Sequence, residues 1–238
     1  MKCLVVADLH YALKQWDWVH HVAEQFDLVI IAGDLLDLGS LVDRESQSIV
    51  VLKYLDRIVR KKPLLVCSGN HDGTDHNAEN ETIATWLTEA REAGTLVDGD
   101  FWEKDECLFT ICPWWDGNVT RKEVGEQLAR DAARPKKRWI WIYHSPPDQT
   151  KVCWTGKAFA GDPYLVEWIN QYKPDMVLSG HIHQSPFRNE GSWIDKVNGT
   201  WVFNTGRQIG PEPAFILLDL ENNQATWTSQ AGQETMAL

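Results

Sequence analysis

An α/β fold, with a mixed sheet or two packed sheets flanked by helices, is predicted by three observations. Short apolar, β-branched runs alternate with longer helix-patterned stretches through the first part of the chain. The early strand candidates lack polar alternation, as strands covered on both faces do. From Trp193 onward the pattern turns to strands separated by turn signals. A β-α-β-α-β opening followed by antiparallel strands is the signature of layered sheets with helices outside.

Each element has its own justification. Residues 2–7 read as a buried strand, and 14–25 as a helix with Trp18, Val22 and Phe26 on one face. Residues 27–32 (DLVIIA) are a second buried strand. Residues 43–60 repeat Ile49, Leu52, Leu55, Ile58 and Val59 at helical spacing, with Asp43 as N-cap. A third strand covers 63–67, and a helix over 81–93 is ended by Gly94. Residues 101–103 and 107–112 form a hairpin, 121–133 a helix, 138–143 a strand, 163–172 a helix and 175–178 a strand. Strands follow at 193–197, 200–203, 214–220 and 225–228, with Asn198-Gly199 as a tight turn. No repeat or Ser/Gly/Pro-rich linker interrupts the series, so a single domain over 1–238 is expected. The longest irregular stretch, 145–162, is a candidate substrate loop.

Composition narrows the function. The chain has 238 residues, with 23 Lys+Arg against 34 Asp+Glu and a net charge of −11. That balance argues against a tight duplex-DNA binder, though bound cations can reverse a local field for an anionic substrate. The opening apolar run is short and broken by Asp8, unlike a signal peptide, and no run approaches a membrane span. Five cysteines without a C-x-x-C pair read as reduced, mostly buried thiols of a cytoplasmic protein. Most of the 13 Trp are expected in the core or at its rim.

The residues that follow the predicted strands carry the chemistry. They are Asp8-Leu9-His10, Gly33-Asp34-Leu35-Leu36-Asp37, Gly69-Asn70-His71-Asp72, His144 and Gly180-His181-Ile182-His183. Five strand ends thus bear almost only Asp, Asn, His and Gly, and ligands of open α/β sheets gather at such ends. Oxygen and imidazole donors without thiolate suit Mn, Fe, Zn or Co. Seven donors exceed what one ion takes, whereas two ions sharing a carboxylate, as in two-metal hydrolases, would use them all. The glycines before these donors permit sharp turns and close approach.

Together these motifs resemble those of the calcineurin-like metallophosphoesterases, from residue 8 to about 206. Asn204-x-Gly206 is a weaker match, since Thr205 and Arg207 replace two residues of the usual Asn-Pro-Gly-Ser turn. The resemblance implies a four-layer α/β/β/α sandwich with a dimetal site at its edge. Asp8, His10 and His183 would hold one divalent ion, and Asn70, His144 and His181 the other, with Asp34 bridging. His71 would protonate the leaving oxygen, and Asp37 would orient that imidazole and keep it charged. Two dications would neutralise a phosphate ester and make a shared water acidic enough to attack phosphorus.

Departures from the family pattern shape the expected substrate. Leu38 stands where the protein Ser/Thr phosphatases carry a phosphate-clamping Arg, and Asp72 replaces their Glu. DNA-end nucleases of the family usually add a capping domain, for which the 32 residues after Gly206 are too few. The expected activity is hydrolysis of a small phosphomonoester or phosphodiester, a nucleotide among the candidates. The alternatives are a nuclease for single strands or ends, and a metal-binding scaffold without catalysis. Homo-oligomerisation is compatible with the sequence. Arg207 is a candidate phosphate contact. In the 145–162 loop, Trp154 and Lys157, with Lys151, combine an aromatic face with positive charge and are candidate substrate-binding groups. Trp115 or Asp116 could face the site, whereas His20, His21 and His76 read as surface residues.

Overall fold

The computed structural model describes all residues, Met1–Leu238. In chain order the elements are β1 (Lys2–Val6), α1 (Leu13–Val22), β2 (Leu28–Ala32), α2 (Arg44–Val59), β3 (Leu64–Cys67), β4 (Asp75–His76), β5 (Thr82–Ile83) and α3 (Leu87–Glu92). They continue with β6 (Phe101–Lys104), β7 (Cys107–Ile111), α4 (Asn118–Ala132), β8 (Arg138–Ile142), α5 (Pro163–Tyr172) and β9 (Met176–Ser179). The last five are β10 (Ile194–Val197), β11 (Thr200–Asn204), β12 (Phe215–Asp219), β13 (Gln224–Ser229) and β14 (Gly232–Ala237).

Two six-stranded sheets form the centre. One runs β14-β13-β12-β1-β2-β3, the other β10-β11-β9-β8-β7-β6. Strands β1, β2 and β3 are mutually parallel, as are β7, β8, β9 and β11, while the outer strands are antiparallel. Alternate side chains of each strand serve two different cores. Cys3, Val5, Ile30, Phe109, Ile140 and Phe203 fill the space between the sheets. Leu4, Val6, Val29 and Ile31 meet Trp16, Val51 and Leu55 of α1 and α2. Leu108, Trp141 and Val177 meet Val124, Leu128 and Leu165 of α4 and α5. The result is the expected four-layer sandwich, and it explains why the strands show no polar alternation.

Local chemistry sets the element ends. Asp43 accepts from Ser46 N at 2.8 Å and caps α2. Asp162 caps α5 ahead of Pro163, and Lys173 closes it in the left-handed region. Asn198 and Gly199 take φ of 46° and 100°, turning β10 into β11 as their sequence predicts. All five cysteines are free, and no helix is long and apolar enough to cross a membrane.

Three sequence expectations change. The helix predicted over 81–93 begins only at Leu87, because Thr82–Ile83 pairs with Asp75–His76. Glu81 leaves the helix and accepts from Val119 N and Thr120 N at 2.9 and 2.7 Å, capping α4. Strand β14 had no sequence signal: its six residues are all exposed, so it carries no apolar pattern, and backbone pairing with β13 holds it. The 145–162 segment is ordered by a short turn at Lys151–Cys153 and by bridges Pro147–Asp162 and Trp154–Phe159.

Candidate metal centre

The C-terminal ends of the parallel strands in both sheets meet at one edge. Asp8, His10, Asp34, Asn70, His144, His181 and His183 all converge there. Asp8, His10, Asp34 and His183 form one cluster of donor atoms, and Asp34, His144 and His181 a second. Asn70 joins the second, its Oδ1 2.8 Å from His181 Nδ1. His10 Nε2 lies 3.4 Å from Asp34 Oδ2, and His183 Nε2 lies 3.2 Å from Asp8 Oδ1. Asp34 is common to both groups.

The donor set fits divalent cations. His144 places Nδ1 2.7 Å from the Ala32 carbonyl, so that nitrogen carries the proton and donates. Its Nε2 therefore presents a lone pair inward, where it is buried and has no hydrogen-bond partner. An orphaned imidazole nitrogen 3.3 Å from Asp34 Oδ2 is suited to a cation between them. The protein otherwise balances this charge with protons. Burial opposes ionisation of Asp8, yet His10 and His183 hold its carboxyl well below the usual range. Burial also opposes the charged form of His144, but Asp34 and Asp8 outweigh it and raise its pKa to about 9. Burial, aided by the positive charge of His144, pushes His181 down to about 4.

The backbone is bent to aim these groups. Asp8, His10, Asp34 and His181 take φ of 56°, 42°, 55° and 66°, in the left-handed region that non-glycine residues avoid. Backbone bonds from Asp8 N to Gly33 O and from His10 N to Asp34 O, both 3.0 Å, lock β1's exit loop to β2's. A Cβ at Gly69 would collide with the Asp34 carboxylate.

Asp72, which the sequence marked only as a departure from a motif, organises two ligand loops. It is fully buried. One carboxylate oxygen accepts from Leu35 N and Leu36 N at 2.8 and 2.9 Å, the other from Gly69 N at 2.7 Å. Burial and the neighbouring Asp34 push its pKa up to about 8.

His71 stands at the mouth, with Nε2 3.9 Å from Asp34 Oδ2. Its ring lies in a third group of donor atoms, with those of His10 and Asp37 all within 4.8 Å of one another. Leu38 N donates to His71 Nδ1 at 3.3 Å, while Asp37 Oδ1 accepts from Gly39 N at 2.8 Å. Asp37 thus shapes the turn that presents the Leu38 amide. An Nδ1 that accepts a backbone N–H leaves the ring proton on Nε2, facing the metal centre. Burial lowers the His71 pKa, and Asp34 and Asp37 draw it back up only in part.

The remaining candidates are spread around the rim. Arg207 N donates to His183 O at 3.0 Å, and the Arg207 side chain lines a cavity with Leu13, Lys14 and Ile209. Trp154 packs on Phe159, ring centroids 5.0 Å apart, and Lys157 is exposed. Lys151, Trp154 and Lys157 line neither that cavity nor the groove beside His181. The tryptophan that faces the centre is Trp114, its ring 5.8 Å from His144 and 5.5 Å from His181. Trp115 instead points its indole N–H at Tyr143 Oη (2.6 Å) and Asp162 Oδ2 (3.0 Å). His21 and His76 are exposed, as expected, whereas His20 is half-buried.

Comparisons with known proteins bear on the fold and the family. The D component of the nuclease SbcCD from Staphylococcus epidermidis (strain ATCC 12228 / FDA PCI 1200) is 25% identical over 92% of this chain, which spans 62% of that relative's length. A dimetal phosphatase from Danio rerio has the same fold at a TM-score of 0.63, with 11% identity and coverage of 100% of this chain and 98% of that one. The purple acid phosphatase PPD1 of yellow lupin (Lupinus luteus) seeds matches at a TM-score of 0.60 and 14% identity, over 100% of this chain and 53% of that one. Residues 1–185 match the family model of the calcineurin-like phosphoesterases, and the chain belongs to that family.

Proposed function

We propose that the protein is a two-ion phosphoesterase that hydrolyses a small phosphomonoester or phosphodiester. The observation that carries this reading is the position of Asp34, whose carboxylate belongs to both donor clusters. Asp8, His10 and His183 hold one ion, and Asn70, His144 and His181 the other, with Mn, Fe, Zn or Co as the candidates. When bound, such ions neutralise the phosphate and lower the pKa of a coordinated water. The protein's own contribution is orientation. Ala32 O fixes the His144 tautomer, Asp72 ties the Asp34 and Asn70 loops together, and Leu38 N turns the Nε2–H of His71 toward the reacting phosphate. From there the Nε2–H hydrogen-bonds a phosphoryl oxygen or, when the ring is protonated, passes its proton to the departing alkoxide and leaves neutral imidazole. Five free cysteines are in keeping with a reducing, cytoplasmic setting.

The test is turnover of p-nitrophenyl phosphate and its bis ester after reconstitution with each metal, alongside metal analysis. Release of nitrophenolate that depends on added metal supports the reading. No turnover with any metal despite full loading would leave a metal-binding scaffold instead.

A second reading, a nuclease acting on strands or ends, is favoured by the likeness to the SbcCD component. The net charge of −11 counts against it, because backbone contacts to nucleic acid need a basic face. Metal-dependent cleavage of linear DNA without turnover of small esters would select it.

A further inference from the structure

A groove of about 330 Å³ opens beside the metal centre. His181, a ligand in the reading above, forms one end, with Ser145, the residue after His144, beside it. Trp114, Trp115 and Pro163 supply apolar wall, and Asp116 and the 160–162 turn close the far side.

The aromatic walls are fixed in place. Trp114 N donates to the buried Ser68 hydroxyl at 2.9 Å, which sets the backbone at the groove. The Trp115 indole N–H is held by Tyr143 and Asp162, and the same Asp162 carboxylate caps α5 through Tyr164 N and Leu165 N. Arg121 stacks over Tyr164 at 3.9 Å and over Trp115 at 5.5 Å, against the outer side of the same cluster. The Trp115 indole is thus held directly and Trp114 is tethered through its backbone, so the wall loses little entropy on binding a flat ligand.

The charges decide which part of a substrate enters. No Lys or Arg lines the groove, so it offers nothing to a phosphate. Its exposed ionisable group is Asp116, which accepts from Thr82 N at 2.9 Å through Oδ2 and has no cation partner. An aromatic wall ending in a carboxylate suits an uncharged planar ring that carries hydrogen-bond donors. From this we infer that the groove is a specificity subsite. It takes a nucleobase or comparable aromatic ring of a phosphoester whose phosphate sits at the metal centre. This deepens the phosphoesterase reading and rests on it. Trp114, between the groove and the rings of His144 and His181, is the principal stacking residue.

The test compares matched substrates with and without the ring. Adenosine 5′-monophosphate is set against ribose 5-phosphate, and the methyl diester of the first against the methyl diester of the second. The metal-loaded wild type is expected to prefer the ring-bearing member, mainly through KM. Trp114→Ala should reduce that preference by about 5- to 150-fold, the usual range for loss of one base–aromatic stack. Trp114→Phe should restore most of it. Metal content is measured on each variant, and the preference is read as a ratio within one variant, so that a general loss of activity cancels. Saturation-transfer NMR with adenosine, which needs no turnover, should show contact in the wild type and in Trp114→Phe but not in Trp114→Ala. Turnover without ring preference and without saturation transfer overturns the subsite alone. Saturation transfer without turnover of any ester overturns the phosphoesterase reading and leaves the ring site standing. A preference that survives Trp114→Ala places the ring elsewhere and also overturns the inference.

Discussion

His10 Nε2 and His183 Nε2 lie 3.0 Å apart, although 173 residues separate them and they follow strands of different sheets. Two imidazole nitrogens that close share at most one proton between them, unless a cation lies within reach of both. With Asp8 and Asp34 the pair makes one of the donor clusters at the edge where the two sheets meet.

Metal content should therefore follow the clusters. The wild type is expected to bind two divalent ions per chain. Asp34→Asn should weaken both sites, and Asn70→Ala should empty mainly the one built on His144 and His181. Inductively coupled plasma mass spectrometry after reconstitution with Mn reads the stoichiometry. A single ion in the wild type would sink the dinuclear arrangement.

His71→Ala should keep both ions and lose roughly 10²–10⁴-fold in rate, the usual worth of a positioned proton donor. The pattern across leaving groups separates two roles for the Nε2–H. A loss that grows with leaving-group pKa and shrinks toward nothing for p-nitrophenolate means proton transfer to the alkoxide. A uniform loss means donation to the phosphoryl oxygen. Loss of metal would make His71 a ligand and overturn both.

Asp72→Ala should cost about 3 kcal/mol or more of stability, because it strands the buried N–H groups of Leu35, Leu36 and Gly69. Those amides flank Asp34 and Asn70, so metal affinity should fall together with stability. Urea denaturation and metal titration on the same variant check the coupling; a normal metal affinity would make Asp72 structural only.

Glu81 predicts a pH dependence remote from the metals. Desolvation opposes its charge, but the amides of Thr120 and Val119 hold its pKa below the ordinary glutamate value. A carboxyl with a depressed folded-state pKa stabilises above its unfolded value and loses that contribution as pH falls through the folded one. Glu81→Gln should thus melt below the wild type at neutral pH, and the gap should close as pH falls through the depressed folded-state value. A gap that persists in acid would assign the effect to packing rather than to charge.

The candidate donors, and the strands that present them, were legible in the order of the amino acids alone. Asp8, Asp34, Asn70, His144 and His181 each follow an apolar run, and a strand end is where a buried backbone can expose a side chain. The inner strands were legible because both faces are buried, which forces unbroken apolar runs such as Leu28–Ala32. Contacts distant in sequence settled the rest. Thr82–Ile83 pairs with Asp75–His76 at the expense of helix propensity, and Glu81 goes to cap α4. Strand β14 is held by hydrogen bonds alone, which leave no mark in an exposed sequence. The Leu38 amide meets His71 Nδ1, and Trp114 instead of Trp115 turns toward the metal edge. Local pattern records how much of a residue is buried and with what period. Which partner a polar atom finds is fixed only when strands from different parts of the chain are brought side by side.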